Sequence, residues 1–310
     1  MARVPPLSTF SIAAWDPVRQ DWGAAVLSNY LAVGALVPFV RAQVGVVLTQ
    51  ATASRPLAEA ALAGLAEGLA ADEVLAGVIG RDRRAPVRQV AVLDSNGRAA
   101  VHTGEECREE AGHVMGERYL CTGNTLLPGT LDAMGAVFEA ARSAGQGELA
   151  DWLLAALAAG AAAGGDRRGE LAAALLVARP DGGFGGDNDR YVDLRVDAHG
   201  QPIQTLRRLL AIHHLYYQDA AAEAWQDLHE LDSTALEALA RSSGIVLRTL
   251  QARDDAAMEG LVHWFADHNI EHALDPAGWR VRRELSVYLS LFAPGNGVPS
   301  KSSQLRVSKR

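Results

Sequence analysis

Helical segments in the first two thirds of this chain come in pairs, never singly between strands, and that order limits the fold more than any other feature. A doubly wound parallel sheet needs a helix between each strand and the next. Here the order reads strands, two helices, strands, two helices, strands. Two antiparallel sheets face to face, each with a helix layer outside, accommodate it. The expected class is therefore α+β: a four-layer αββα sandwich followed by a small C-terminal all-helical domain.

Local signals set the elements. Thr9 to Trp15 alternates, Trp22 to Ser28 is a second short apolar run, and Asp16, Pro17 and Asp21 form a turn between them, so the pair reads as a hairpin. Val44 to Gln50 is nearly all apolar, as a strand covered on both faces should be. Leu57 to Ile79 places Leu62, Leu65 and Leu69 at helical spacing, with Asp72 as N-cap of a second helix. Gln89 to Leu93 and Arg98 to His102 flank Ser95-Asn96-Gly97, a strong hairpin signal.

Tyr119 to Thr122 reads as a strand, and Leu131 to Arg142 and Leu149 to Ala163 as helices. Glu170 to Arg179 and Tyr191 to Val196 read as strands, and Pro202 to His213 as a helix. Beyond Tyr216 the segments Ala220 to Leu231, Ser233 to Arg241, Asp254 to His268 and Trp279 to Leu291 are expected to be helical. That change of texture sets a boundary near Gln218. The expected domains are a leader at 1–8, the sandwich at 9–218, a helical accessory domain at 219–292, and a disordered polar tail at 293–310.

Composition narrows the function. A net charge of −8 argues against nucleic-acid or anionic-membrane partners, which require a basic surface. The lysines, Lys301 and Lys309, both lie in the tail, so cationic roles in the body fall to Arg, His or an amino terminus. Cys107 and Cys121 make no disulfide framework. The first residues form no signal-peptide stretch, and the Ala-rich run at Ala155 to Ala163 is too short to cross a bilayer. A cytoplasmic protein is expected.

Several stretches point further. They are Thr9-Phe10-Ser11-Ile12; Ser28 through Ala35; Pro38 through Arg41; Gly45; Thr49-Gln50-Ala51; His102-Thr103-Gly104 with Cys107; Ala111-Gly112-His113; Gly123-Asn124; Gly164 through Gly169; and Asp189 through Asp197. Taken in order, these resemble the domain-of-unknown-function family ten-twenty-eight, placed in the N-terminal-nucleophile (Ntn) hydrolase superfamily. Glu170 and Leu171 depart from the family, where more polar residues are expected.

The resemblance implies a nucleophile at the first residue of the mature chain, with its own α-amine as base. Such an amine has a pKa of about 7.7–8.0, suited to work near neutrality. Thr9 is the candidate, but eight residues precede it and make its nitrogen an amide, so the chemistry requires loss of residues 1–8. Thr9 is equally an ordinary β-branched strand opener. Arg41 stands where superfamily members keep a lysine that tunes the nucleophile; a surface arginine at a strand edge is the competing reading.

The Gly164 to Gly169 turn brings backbone N–H groups close to a ligand, with Asp166 for an α-amine or substrate ammonium and Arg168 for a substrate carboxylate. Its charges can equally pair with each other. Asn124 is a candidate oxyanion donor, or a turn cap. Ser28, Thr49, His102, Gly165 and Arg168 complete the substrate-binding candidates. Asp193 and Arg195 lie on one strand face and read as an ion pair. His268 and His272 have metal-ligand spacing but no convincing third ligand, so neither metal nor cofactor is expected.

Two functions of different class follow. One is an amidohydrolase acting on a small-molecule or peptide-like amide; the other is a non-catalytic binding or assembly module on the same fold. A homo-oligomer is expected in either case.

Overall fold

The computed structural model describes residues 9–292, apart from residue 109 and residues 218–223. The expected leader and tail lie outside the described residues. The chain forms two compact units that divide at Arg207 and Arg208. This is earlier than the boundary the change of texture suggests, because Ile212, Leu215 and Tyr216 join the core of the second unit.

In the first unit the elements are β1 (Thr9–Asp16), β2 (Asp21–Ser28), β3 (Pro38–Arg41), β4 (Gly45–Ala51), α1 (Arg55–Ala66), α2 (Ala71–Ile79), β5 (Arg88–Asp94) and β6 (Ala99–Thr103). They continue with β7 (Gly112–Gly116), β8 (Tyr119–Asn124), α3 (Thr130–Ala144), α4 (Leu149–Ala162), β9 (Ala172–Ala178) and β10 (Arg190–Val196), and α5 (Pro202–Tyr217) crosses the division. The strands form a six-stranded sheet, β10-β9-β2-β1-β8-β7, and a four-stranded sheet, β3-β4-β5-β6, antiparallel throughout. The fold is mixed α+β. Strands β3 and β7 are the ones the sequence reading lacks: both are short edge strands, and glycines bracket β7.

Each hairpin follows its local chemistry. The first keeps an unbroken register from Thr9↔Ser28 to Asp16↔Asp21. Between β5 and β6, the Asp94 carboxylate accepts the backbone N–H groups of Asn96 and Arg98 at 2.9 and 3.0 Å, an Asx turn completed by Gly97 at φ 77°. At the start of α1, Ser54 Oγ accepts the Leu57 N–H at 3.4 Å, a cap worth about 1 kcal/mol.

Packing assigns the faces. Ala13, Trp22, Ala24, Val26, Leu120 and Ala174 from the larger sheet share one apolar core with Val46, Leu48, Ala91 and Leu93 from the smaller. The opposite face of β4 and β5 presents Val47, Val90 and Val92 to Leu57, Leu62, Leu65 and Val74 of α1 and α2. Helix α4 lies on the outer face of β1 and β2: a Cβ on Gly23 would meet Leu153 Cδ1 at 2.7 Å, and one on Gly160 would meet Phe10 at 3.0 Å. Small residues there let helix and sheet approach closely. Each fully buried Leu or Phe in these interfaces contributes roughly 1.5–3 kcal/mol.

The second unit contains β11 (Trp225–Asp227), α6 (Ser233–Ser243), α7 (Leu247–Gln251), α8 (Asp255–Asp267), β12 (Leu274–Asp275), β13 (Arg280–Arg282) and α9 (Leu285–Leu289). It is not all-helical: β11, β13 and β12 form a three-stranded antiparallel sheet. Strands of two or three residues are too short for alternation to register in a sequence. Val281 on the middle strand is fully buried and pairs with Gln226 and Leu274, whereas the expected helix from Trp279 shrinks to α9. Among the described residues no helix is long and apolar enough to cross a membrane.

Candidate functional site

Period-two alternation decides what lies between the two sheets. On β1 the inward positions run Trp15, Ala13, Ser11, Thr9; on β2 they run Ala24, Val26, Ser28. On β4 they run Val46, Leu48, Gln50, on β5 Leu93, Ala91, Gln89, and on β8 Leu120, Thr122, Asn124. In each of these five strands the inward face changes from apolar to polar at the same end. Thr9, Ser11, Ser28, Gln50, Gln89, Thr122 and Asn124 are all 0–1% exposed.

Buried polar groups need partners: Thr122 Oγ1 donates to the Gly112 carbonyl at 3.2 Å, and the others are linked with one another. Thr9 Oγ1 donates to Ser28 Oγ at 3.2 Å, and Ser28 Oγ also accepts the Tyr30 N–H at 3.1 Å. Ser11 Oγ donates to Gln50 Oε1 at 2.6 Å, and Gln50 Nε2 donates to the Thr9 carbonyl at 3.5 Å and to Gln89 Oε1 at 2.9 Å. Gln89 is the hub. Its Oε1 also accepts Asn124 Nδ2 at 3.1 Å, while its Nε2 donates to the Gly123 carbonyl at 2.8 Å and Thr103 Oγ1 at 3.1 Å. Thr9 is thus flanked in register by Ser28 on one side and Asn124 on the other.

The Gly164 to Gly169 turn closes over the same end. Asp166 Oδ2 accepts the N–H of Asn29, just beyond β2, at 3.3 Å. The same residue forms a β-bridge with Leu126, just beyond β8. Strands β2 and β8 are the two neighbours of β1, so the turn bridges the sheet at the start of β1. Gly165, at φ 53°, packs so close to Phe10 that a Cβ would meet the ring at 3.2 Å. Asp166 is 3% exposed and is gripped by Arg168, with Nε on Oδ1 at 3.2 Å and Nη2 on Oδ2 at 3.0 Å. Neighbouring Glu170 has its carboxyl pushed above the ordinary range by burial, with the Asp166 charge adding to the effect.

Backbone strain collects here as well. Ala51 and Thr125, the last residue of β4 and the residue just after β8, both adopt φ 60°, and Thr125 is β-branched. Such conformations cost about 1–3 kcal/mol and persist where surrounding structure enforces them.

Three expected residues are elsewhere. Arg41 lines a cavity with Leu176, Val177 and Ala178, at the far end of β9 from Ala172, the register partner of Ser28. Thr49 lies beside Gln50 but points to the helix side, where its Oγ1 accepts the Ser54 N–H at 3.1 Å. His102 also faces away from the polar cluster, its Nε2 2.9 Å from the Ala85 carbonyl. The structure therefore joins Thr9, Ser28, Asn124, Gly165, Asp166 and Arg168 at one end, and leaves Arg41, Thr49 and His102 out. Asp193 and Arg195 form the expected ion pair at 3.1 Å. His268 and His272 each direct one ring nitrogen to a backbone carbonyl at 2.7 Å.

The sequence model of a family of unknown function, DUF1028, matches residues 9–206. The chain belongs to the DUF1028 family. The crystal structure of protein SPO2555 from Silicibacter pomeroyi, described as DUF1028, is similar at 32% identity with a TM-score of 0.60. The similarity covers 67% of this chain and 86% of that one. No curated protein matches this chain.

The DUF1028 match opens on Thr9 and spans every residue of the polar cluster and the turn above it. Ser11, Gln50 and Thr103 lie in the stretches that carry the resemblance without being named as site residues there, and Gln89 and Thr122, which no motif contains, join them in this constellation. Their signal was the alternation itself. A polar residue that continues an inward apolar row, such as Gln50 after Val46 and Leu48, marks where a core gives way to a site.

Proposed function

We propose that residues 9–206 form the four-layer αββα sandwich of the Ntn hydrolases, and that this DUF1028 protein hydrolyses a small amide or peptide-like bond with Thr9 as nucleophile. The observation that carries the reading is the position of Thr9: it opens a central strand at the polar end of the inter-sheet space, between Ser28 and Asn124 and beneath the Asp166 turn. Helices α1 and α2 outside one sheet and α4 outside the other support the layer order.

In this mechanism Thr9 Oγ1 attacks the amide carbon while the α-amine of Thr9 takes the hydroxyl proton. The amine then passes that proton to the departing nitrogen as the C–N bond breaks, leaving an acyl ester on Thr9. Water, deprotonated by the same amine, cleaves the ester and restores the hydroxyl. Asn124 Nδ2 has a second N–H beyond the one given to Gln89, suited to a developing oxyanion. Asp166 is the counter-charge for the α-ammonium, and the Arg168 guanidinium beside it is the cation suited to a substrate carboxylate.

The chemistry requires that Thr9 be the first residue, since an acylated nitrogen is no base. The chain's lysine content makes this directly readable. With lysines only at 301 and 309, an amine-selective reagent can modify those two side chains and the α-amine alone. Labelling followed by peptide mass analysis should find modified Thr9 in active preparations, and Thr9→Ala should abolish hydrolysis of N-acyl amino acids. Label confined to an upstream residue, together with an unaffected Thr9→Ala variant, would overturn the proposal. The competing reading, a binding module, draws on the complete burial of Thr9, and that same result would favour it.

A further inference from the structure

A cavity of about 440 Å³ lies at the opposite end of the first unit from Thr9. Its walls are β3, at the edge of the smaller sheet, and β9 and β10, at the edge of the larger. Its volume falls within the range of small-molecule sites. Val40, Ala42, Leu176, Ala178 and Val192 supply an apolar lining.

The charge at this lining is unbalanced. Asp193 serves two arginines at once, Arg190 through Nη1 at 3.1 Å and Arg195 through Nε at 3.1 Å. Arg41 also lines the cavity, and its guanidinium has neither an ion-pair nor a hydrogen-bond partner among the described residues. Asp189, the acid of the lining, accepts the Asp181 N–H at 3.2 Å. The lining thus sets two guanidinium groups, Arg41 and Arg190, against one carboxylate, Asp189, and of the two arginines only Arg190 has a carboxylate partner. An unpaired guanidinium beside a concave apolar surface is suited to a carboxylate with a hydrocarbon body, which Arg can hold through two parallel N–H bonds.

We infer that this cavity binds a small amphipathic carboxylate, with Arg41 as anchor of the carboxylate and the Leu176, Ala178 and Val192 surface taking the apolar part. The site is independent of the chemistry proposed for Thr9. Its position also gives Arg41 a role that its distance from Thr9 denies it at the polar cluster.

Calorimetric titration of the full chain with hexanoate, hexylamine and hexanol tests the inference. Hexanoate should bind at least about tenfold more tightly than either of the others. Arg41→Gln should weaken hexanoate by about tenfold while leaving hexanol unchanged. Thr9→Ala should leave hexanoate affinity unaltered. Equal binding of hexanol and hexanoate, or an Arg41→Gln variant with parental hexanoate affinity, would overturn it. So would loss of hexanoate binding in Thr9→Ala, which would place the ligand at the other end of the unit. Arg41 is exposed on a strand edge, so its replacement leaves the core intact; a thermal melt of the variant checks this.

Discussion

The hydroxyl of Thr9 donates to Ser28 Oγ at 3.2 Å, and the two residues are also register partners across the first hairpin. Ser28 therefore fixes the rotamer of the proposed nucleophile while itself being held by the Tyr30 N–H. Thr9→Ala should lower amide hydrolysis by about 10⁴-fold or more, and Ser28→Ala by about tenfold through lost positioning. Stability should fall by only about 1 kcal/mol in each case. Steady-state kinetics paired with urea unfolding separates the two effects, since a purely structural role would lower stability and activity together.

Gln89 offers a sharper stability test. Gln89→Leu keeps much of the volume but removes the acceptor for Gln50 and Asn124 and the donor to the Gly123 carbonyl. Stranded polar groups in a fully buried setting should cost about 3 kcal/mol. Urea melts should show a lower midpoint with an unchanged slope. A loss below about 0.5 kcal/mol would show that the network contributes little.

Thr125→Gly should run the other way. Thr125 holds φ 60°, a conformation that glycine adopts freely, so the substitution should raise stability by about 1 kcal/mol. Reduced hydrolytic turnover in the same variant would show that the strain helps to place the adjoining Asn124 side chain.

Glu170 predicts a pH dependence. Burial, aided by the Asp166 charge, holds its carboxyl above the ordinary range in the folded chain. The native state then binds the proton more tightly than the unfolded state. Its contribution to stability is present below about pH 4.3 and is lost as pH rises through the raised value. Glu170→Gln should therefore melt higher than the parent at pH 7, with the two converging toward pH 4. Parallel melting curves across that range would contradict this.

The sequence displayed the hairpin from Thr9 to Ser28 clearly, because alternation and turn chemistry agreed there. It displayed the Asp166 turn through its glycines. Strand β3 was hidden by its shortness, and the small sheet of the second unit by strands of two or three residues. Arg41 was placed near Thr9 only by resemblance. In the fold, the three residues between Arg41 and Gly45 turn β3 back into β4, which carries Arg41 to the end opposite Gln50. Sequence spacing cannot reveal which end of a strand a charge occupies until the direction of the pairing is known. His102 fails for a related reason, since its neighbour Thr103 takes the inward face.

Gln89 has a bearing on assembly of the chain as well. A slip of β5 by one residue against β4 would carry either Arg88 or Val90 to the position between the sheets. Arg88 would forfeit its bonds to Asp82 and to the Thr52 and Ala53 carbonyls, and Val90 would offer the Gly123 carbonyl and the Asn124 amide no partner. A single side-chain amide thus works as a key that only one alignment of β5 on β4 accepts. Misaligned pairings are penalised at the inner face, where the stranded groups are fully buried.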